Sequence, residues 1–184
     1  MSKRKKSYLP PKFYTTNSRI EWIRSVVIRL SYEAQSAHLG SSLSIVEILD
    51  AILEHGSFLE GENRDRLILS KGHAAMAFYA ALVAHGLIES KLLNGYLSNG
   101  TSLWGHVTRH EMAPVIDAST GSLGHGLSLA CGHSYGDRLR RRQRRIFVVL
   151  SDGECDEGST WEAASFAGHH RLNNIVSIVD YNNL

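Results

Sequence analysis

A chain of 184 residues suffices for one domain with a sizeable core, and 43% hydrophobic against 21% charged residues is the balance of a soluble globular protein. A net charge of +2 says little about partners, and no apolar run approaches the ~20 residues of a membrane span. The start, MSKRKKSYLPPKFYT, lacks the apolar segment of a secretory signal, so a cytoplasmic location is expected, with neither membrane nor nucleic acid as a partner. Cys131 and Cys155 are too few and too unpatterned for a disulfide framework or a zinc site, and both are expected to be reduced thiols.

In chain order, Lys3-Arg4-Lys5-Lys6 followed by Pro10-Pro11 reads as a loose basic arm over residues 1–18, leaving 19–184 as the domain. Ile20 to Ser36 carries Ile23, Val26, Val27 and Leu30 at the spacing of one helix face, and Ser44 to Leu53 repeats the pattern with Ile45, Ile48, Leu49 and Ile52. Between them, His38-Leu39-Gly40-Ser41-Ser42 is a turn-rich break. Arg64 to Leu69 reads as a short strand ended by Ser70-Lys71-Gly72-His73, and Ala74 to Ala84 as a helix. Thr101 to His106 is polar, Asp117 to Gly126 is glycine-rich, and a helix runs from Leu127 toward Arg138. The arginines between Arg138 and Arg145 suit a solvated helix end, where cations offset the dipole, better than a nucleic-acid surface. Ile146 to Leu150 is a strand, Ser159-Thr160-Trp161-Glu162 matches a capping box opening a helix toward Arg171-Leu172, and Ile175 to Val179 is a second strand. Strands alternating with helices, without internal repeats, predict an α/β fold: a doubly wound parallel sheet with helices on both faces.

Two parallel strands joined by one helix bring Ser151-Asp152-Gly153 and Asn182-Asn183-Leu184 to the same edge of the sheet, where open α/β sheets bind ligands. Asp-Gly and Asn-Asn are each common turn dipeptides; the informative feature is their combination at two strand ends. A carboxylate, a carboxamide and a backbone carbonyl are hard oxygen donors suited to Mg²⁺ shared with phosphate oxygens. The segment Ser119 to Gly126 lets backbone amides approach a ligand closely, but it is not the GxGxxG fingerprint, and no GKS or GKT is present. A nicotinamide or P-loop enzyme is therefore disfavoured.

The stretch SDGECDEGSTWEAASFAGHHRLNNIVSIVDYNNL resembles the thiamine diphosphate motif of transketolases, which begins GDG and ends NN. Upstream, SAHLG at 36–40, LSKGHA at 69–74, GHV at 105–107 and TGSLGHG at 120–126 resemble further transketolase segments in the family's order. The resemblance implies Asp152, Asn182 and the carbonyl of Leu184 as Mg²⁺ ligands, with Asp152, Gly153 and Asn182 holding thiamine diphosphate. Gly153 is implied to meet the diphosphate, Gly121 and Leu123 to line the aminopyrimidine, and Glu157 to join a subunit contact near the cofactor. His38, His73 and His106 match the family's active-site histidines, which polarise a ketose carbonyl and move protons. His55, His85, His110, His133, His169 and His170 are read as surface or satisfied core residues. The chain departs from the family pattern at Ser151, for the first Gly of GDG, at Val107, for a common Pro, and at His125, for a common Gln.

The implied activity is transfer of a two-carbon ketol unit from a ketose or ketose phosphate to an aldose acceptor. The glutamate that activates the cofactor ring belongs, in the family, to a separate pyrimidine-binding domain for which this sequence has no room. The expectation is thus the N-terminal component of a split transketolase, a hetero-oligomer with a pyrimidine-binding C-terminal subunit, apparently truncated at its own C-terminus relative to the family. Open alternatives are a component of a 1-deoxyxylulose-5-phosphate synthase-like or 2-oxo acid dehydrogenase-like enzyme, or a noncatalytic binding or regulatory subunit. LSKGHA and TGSLGHG favour transketolase over the first two.

Overall fold

The alternation of side chains along three short strands sets the layering of the molecule. In the computed structural model, which describes residues 8–11, 15–59 and 61–182, β1 (Arg66–Leu69), β2 (Ile146–Ser151) and β3 (Ile175–Asp180) form a parallel sheet in the order β1-β2-β3. Arg66 pairs with Ile146 and Leu69 with Val149, while Ile146 pairs with Ile175 and Ser151 with Asp180. Because successive residues of a strand face opposite sides, Leu67, Leu69, Phe147 and Val149 enter one core and Ile68, Ile146, Val148 and Leu150 the other.

The first core is closed by α1 (Thr16–Ala34), α3 (Val46–His55) and α4 (Ala75–Ala84), which contribute Ile23, Val27, Leu49, Phe78 and Tyr79 among others. The second is closed by α5 (Gly126–Leu139) and α6 (Gly158–His169) through Leu127, Ala130, Cys131 and Ala163. Helices thus cover both faces of a parallel sheet, as the alternation of elements predicts. Burial on every side explains the composition of α4: AMAFYAALVA has no polar face because α1 and α3 pack around it. A polar clamp joins the three helices, with Arg19 Nη2 donating to Asp50 Oδ2 at 3.0 Å and His85 Nε2 lying 2.9 Å from Asp50 Oδ1.

Some boundaries differ from the sequence expectations. The Thr15 hydroxyl caps α1 by accepting the Ser18 N–H at 3.3 Å, so Thr16, Asn17 and Ser18 are helical although they fall in the segment read as an arm. Tyr8, also in that segment, is buried, and its hydroxyl donates to Glu33 Oε2 at 2.9 Å. The turn-rich break after His38 contains a five-residue helix, α2 (Leu39–Leu43). The solvated-end account of the arginine run fails at Arg144, which is buried and makes two bonds to Asp137, at 2.7 and 2.5 Å, tying the end of α5 to the start of β2. Arg145 Nη2 is likewise engaged by Asp65 at 2.6 Å, whereas Arg140 and Arg141 are exposed. The Lys3–Lys6 cluster, Asn183 and Leu184 lie outside the described residues. Among the described residues, no helix is long and apolar enough to cross a membrane.

Candidate active site at the carboxyl edge of the sheet

Parallel strands end at the same edge, so three chain segments meet there. β1 runs into Ser70-Lys71 and a 3-10 turn over Gly72–Ala74; β2 runs into Asp152; β3 ends on Asp180, two residues before Asn182. With Ser151 and Asp180 in register on strands spaced ~4.8 Å apart, the segments that carry Asp152 and Asn182 leave adjacent strand ends. Both residues are half-buried, and Asp152 Oδ1 accepts the Gly153 N–H at 3.1 Å.

Backbone hydrogen bonds then stitch the histidine-bearing loops to the end of β1. Val107 N–H donates to the Gly72 carbonyl at 3.1 Å, Thr120 N–H to the Val107 carbonyl at 2.9 Å, and the Thr120 hydroxyl to the Leu69 carbonyl at 2.6 Å. Val107 supplies an N–H that the family's common proline lacks, so this departure fixes the loop carrying His106 through a bond of its own. Gly72 is demanded by the closeness of the segments: a Cβ there would sit 2.4 Å from the Thr120 carbonyl oxygen. The outcome is a cluster of three imidazoles, with ring centroids 5.2 Å apart for His38 and His73 and 5.9 Å for His38 and His106. His38 occupies the left-handed region at φ 68°, a conformation that costs a non-glycine residue about 1–3 kcal/mol and that concentrates at functional sites. Burial, reinforced by Lys71 and by the other two histidines, pushes the His73 imidazolium pKa down to about 4. His73 is therefore neutral near pH 7, able to accept a proton at one ring nitrogen and donate at the other. His38 and His106 are exposed, so the cluster opens onto the surface.

Two carboxylates absent from the sequence-derived set organise this edge. Glu154 is fully buried: its Oε1 accepts the Gly124 N–H at 2.9 Å and the Ser70 hydroxyl, and its Oε2 accepts the Ser151 N–H at 2.9 Å. One side chain thereby ties the end of β1, the TGSLGHG loop and the end of β2. Ser151 and Glu154 form the reciprocal capping pair, which opens the 3-10 turn Asp152–Asp156; the capping box expected at Ser159 and Glu162 is absent. Ser159 instead donates its hydroxyl to the Gly124 carbonyl at 2.9 Å, and Glu157 takes the N-cap position of α6 without a side-chain bond. Ser151, which departs from the family's glycine, supplies the capping hydroxyl. The Ser-x-x-Glu spacing at 151–154 was the signal available for finding Glu154.

The second carboxylate is Asp180. Its Oδ2 accepts from Lys71 Nζ at 2.6 Å, Ser44 Oγ at 2.7 Å and Asn182 Nδ2 at 3.0 Å. Burial, the largest single influence, pushes this carboxyl up, but the bonds from Lys71, Ser44 and Asn182 together outweigh it and hold the group below the usual carboxylate range. Lys71 is only 1% exposed.

Of the remaining sequence-derived residues, Gly121 and Leu123 are half-buried in the loop beside His106, and a Cβ on Gly121 would lie 3.4 Å from that imidazole. Gly153 and Glu157 are exposed on the turn after Asp152. Leu184 lies outside the described residues. His170 packs against Phe166 with ring centroids 4.2 Å apart and planes tilted by 51°, and His85 is held by Asp50, which accounts for both without chemistry. A cavity of about 600 Å³ lies at the opposite edge of the sheet, among Arg138, Arg142, Arg144, Arg145 and Arg171, and includes none of the candidate site residues at the carboxyl edge.

The family profile described as "Transketolase, thiamine diphosphate binding domain" matches residues 15–184. The chain belongs to the transketolase family. It is 40% identical over 152 residues to the 6-deoxy-6-sulfo-D-fructose transketolase subunit SqwG of a Clostridium species, covering 80% of this chain and 55% of that subunit. It is 36% identical over 166 residues to one of the apulose-4-phosphate transketolase subunits of Actinobacillus succinogenes, covering 88% of this chain and 60% of that relative. Among solved structures, the transketolase of Campylobacter jejuni superposes with a TM-score of 0.80 at 26% identity, over 92% of this chain and 28% of that one. The chain thus spans less than two thirds of the length of each of these relatives.

As a transketolase thiamine diphosphate-binding domain, the chain presents a donor set suited to the cofactor and its cation. Asp152 and Asn182 carry hard oxygens just beyond adjacent strand ends, the donor chemistry that suits Mg²⁺. Apart from Gly153's own turn and chain neighbours, a Cβ built on Gly153 would meet among the described residues only the Ser151 hydroxyl, at 4.0 Å, so this backbone is open to a bound group.

Proposed function

We propose that this chain is the thiamine diphosphate-binding, N-terminal component of a split transketolase. It would act with a separate pyrimidine-binding subunit in the cytoplasm to transfer a two-carbon ketol unit from a ketose or its phosphate to an aldose. The observation that carries this is the meeting, at one sheet edge, of a three-imidazole cluster with the Asp152 and Asn182 strand ends. Two relatives named as transketolase subunits, rather than as whole enzymes, support the split arrangement. Their names also favour transketolase over the synthase-like and dehydrogenase-like alternatives.

In this reading, Asp152, Asn182 and the carbonyl of Leu184 hold Mg²⁺, the Gly153 amide meets the diphosphate, and Gly121 and Leu123 line the aminopyrimidine. When bound, thiamine diphosphate supplies the nucleophilic carbon and the electron sink for cleaving the ketose. The protein's own part is positioning and proton movement. Neutral His73 hydrogen-bonds a sugar hydroxyl or takes its proton, and the exposed rings of His38 and His106 orient the carbonyl and hydroxyl oxygens arriving from the surface. Glu157, exposed beside the turn, is available to the partner subunit.

The test is a transfer assay with Mg²⁺, thiamine diphosphate, a ketose phosphate and an aldose. Activity is expected only when a pyrimidine-binding subunit is added, and turnover without it overturns the split arrangement.

A further inference from the structure

The residue two positions before Asn182 accepts a hydrogen bond from that carboxamide at 3.0 Å. Asp180 is buried, and its Oδ2 receives Lys71 from the end of β1, Ser44 from the end of α2 and the amide nitrogen of Asn182. An ionised carboxylate accepts hydrogen bonds and donates none, so it takes the –NH₂ end of a carboxamide and turns the oxygen end away. A carboxamide rotated by half a turn would instead offer a cation its –NH₂, which has no lone pair free for ligation. Lys71, almost wholly buried at 2.6 Å, compensates the Asp180 charge, and Ser44 adds a second fixed donor at 2.7 Å. The acceptor is thus itself held from two other elements.

We propose that Asp180, braced by Lys71 and Ser44, is a positioning residue that selects the orientation of the Asn182 carboxamide, so that Oδ1 is the atom offered to the cofactor's divalent cation. The inference rests on the cation site proposed for Asp152 and Asn182. It also gives Lys71 a double place: the cation that braces Asp180 lies two residues from His73 and helps keep that imidazole neutral. The metal-binding and histidine halves of the edge then share one buried charge.

The test is Mn²⁺ binding, followed by electron paramagnetic resonance, to the assembled enzyme in the presence of thiamine diphosphate. Asp180→Asn keeps the size of the side chain but no longer selects one end of the Asn182 amide, and should weaken Mn²⁺ about 10- to 100-fold, the range for outer-shell partners. The exchanged variant, Asp180→Asn with Asn182→Asp, should recover affinity to within a few-fold, because a carboxylate presents oxygen whichever way it turns. A merely structural role for Asp180 predicts that Asn182→Asp changes Mn²⁺ affinity by the same factor with Asp180 present as with it replaced, whereas the positioning role predicts the larger gain when it is replaced. If Asp180→Asn does not fold, Lys71→Met combined with Asp180→Asn removes both charges and should show the same loss. Wild-type affinity in a folded variant lacking Asp180, or an exchanged variant as weak as Asp180→Asn, overturns the inference alone. Unchanged affinity in Asp152→Ala overturns the cation site and this inference with it.

Discussion

Helices α4 and α6 each follow a strand end that carries candidate chemistry, yet they are held in opposite ways. α4, which follows His73, is buried on all sides between α1 and α3. α6, which follows Asp152 and Gly153, leaves Trp161 61% and Phe166 42% exposed, and neighbouring β3 leaves Val179 43% exposed. His73 therefore stands on a rigid apolar core, whereas the Asp152 and Asn182 loops rest on one thin layer and are secured by buried polar side chains, Glu154 and Asp180. Apolar packing under α4, with backbone bonds to the His106 loop, fixes the histidine half of the site; buried side-chain hydrogen bonds fix the half proposed to bind the cation.

The largest effect should come from the core half. Asp50→Ala removes the buried partner of Arg19 and His85, leaving Arg19 its half-exposed pair with Glu54, and should lower unfolding stability by about 3 kcal/mol in urea titrations. A loss below about 1 kcal/mol would mean that the clamp between α1, α3 and α4 is dispensable.

Glu154→Gln probes the polar half. It replaces one carboxylate oxygen by an amide –NH₂, set against either the Ser151 N–H or the Gly124 N–H and Ser70 hydroxyl, and should cost about 1–3 kcal/mol while loosening the Asp152 turn, visible as faster amide exchange there. Val107→Pro removes the bond to Gly72 and should cost about 0.5–1.5 kcal/mol, with the change confined to the His106 loop. Val179→Thr, on the exposed side of β3, should stay within about 0.5 kcal/mol of wild type. Equal losses in Glu154→Gln and Val179→Thr would remove the part given to buried hydrogen bonds in holding the Asp152 half.

Acid provides a subtler probe. The folded protein holds the His73 pKa near 4, below the 6.5 of an ordinary imidazole, so between these values the unfolded chain binds more protons. The stability contributed by neutral His73 is therefore fully present above pH 6.5 and lost as pH falls toward 4. Unfolding at pH 7 and pH 5 should show a smaller decline in His73→Gln than in wild type, and identical declines would place the sensitivity elsewhere.

The layering was legible because strand runs such as Ile146 to Leu150 and the apolar spacing of α1 are local patterns. The order of SAHLG, LSKGHA, GHV and TGSLGHG likewise brought His38, His73 and His106 into view before any contact was known. What sequence missed depends on contacts across the chain: Ser70 and Glu154 are 84 residues apart, and Lys71 and Asp180 are 109 apart. The capping box was misplaced because Ser151-x-x-Glu154 and Ser159-x-x-Glu162 match the same pattern, and only the bond from Ser159 to Gly124 shows which serine is engaged elsewhere. α2 escaped notice because five residues are too few to show a helical period.

The central claim, that this edge binds thiamine diphosphate through a cation held by Asp152 and Asn182, is tested most directly by calorimetric titration of the cofactor with and without Mg²⁺ into the assembled enzyme. Tight binding that requires Mg²⁺, is abolished in Asp152→Ala and persists in His38→Ala is the predicted result. Equal affinity in wild type and Asp152→Ala would contradict it.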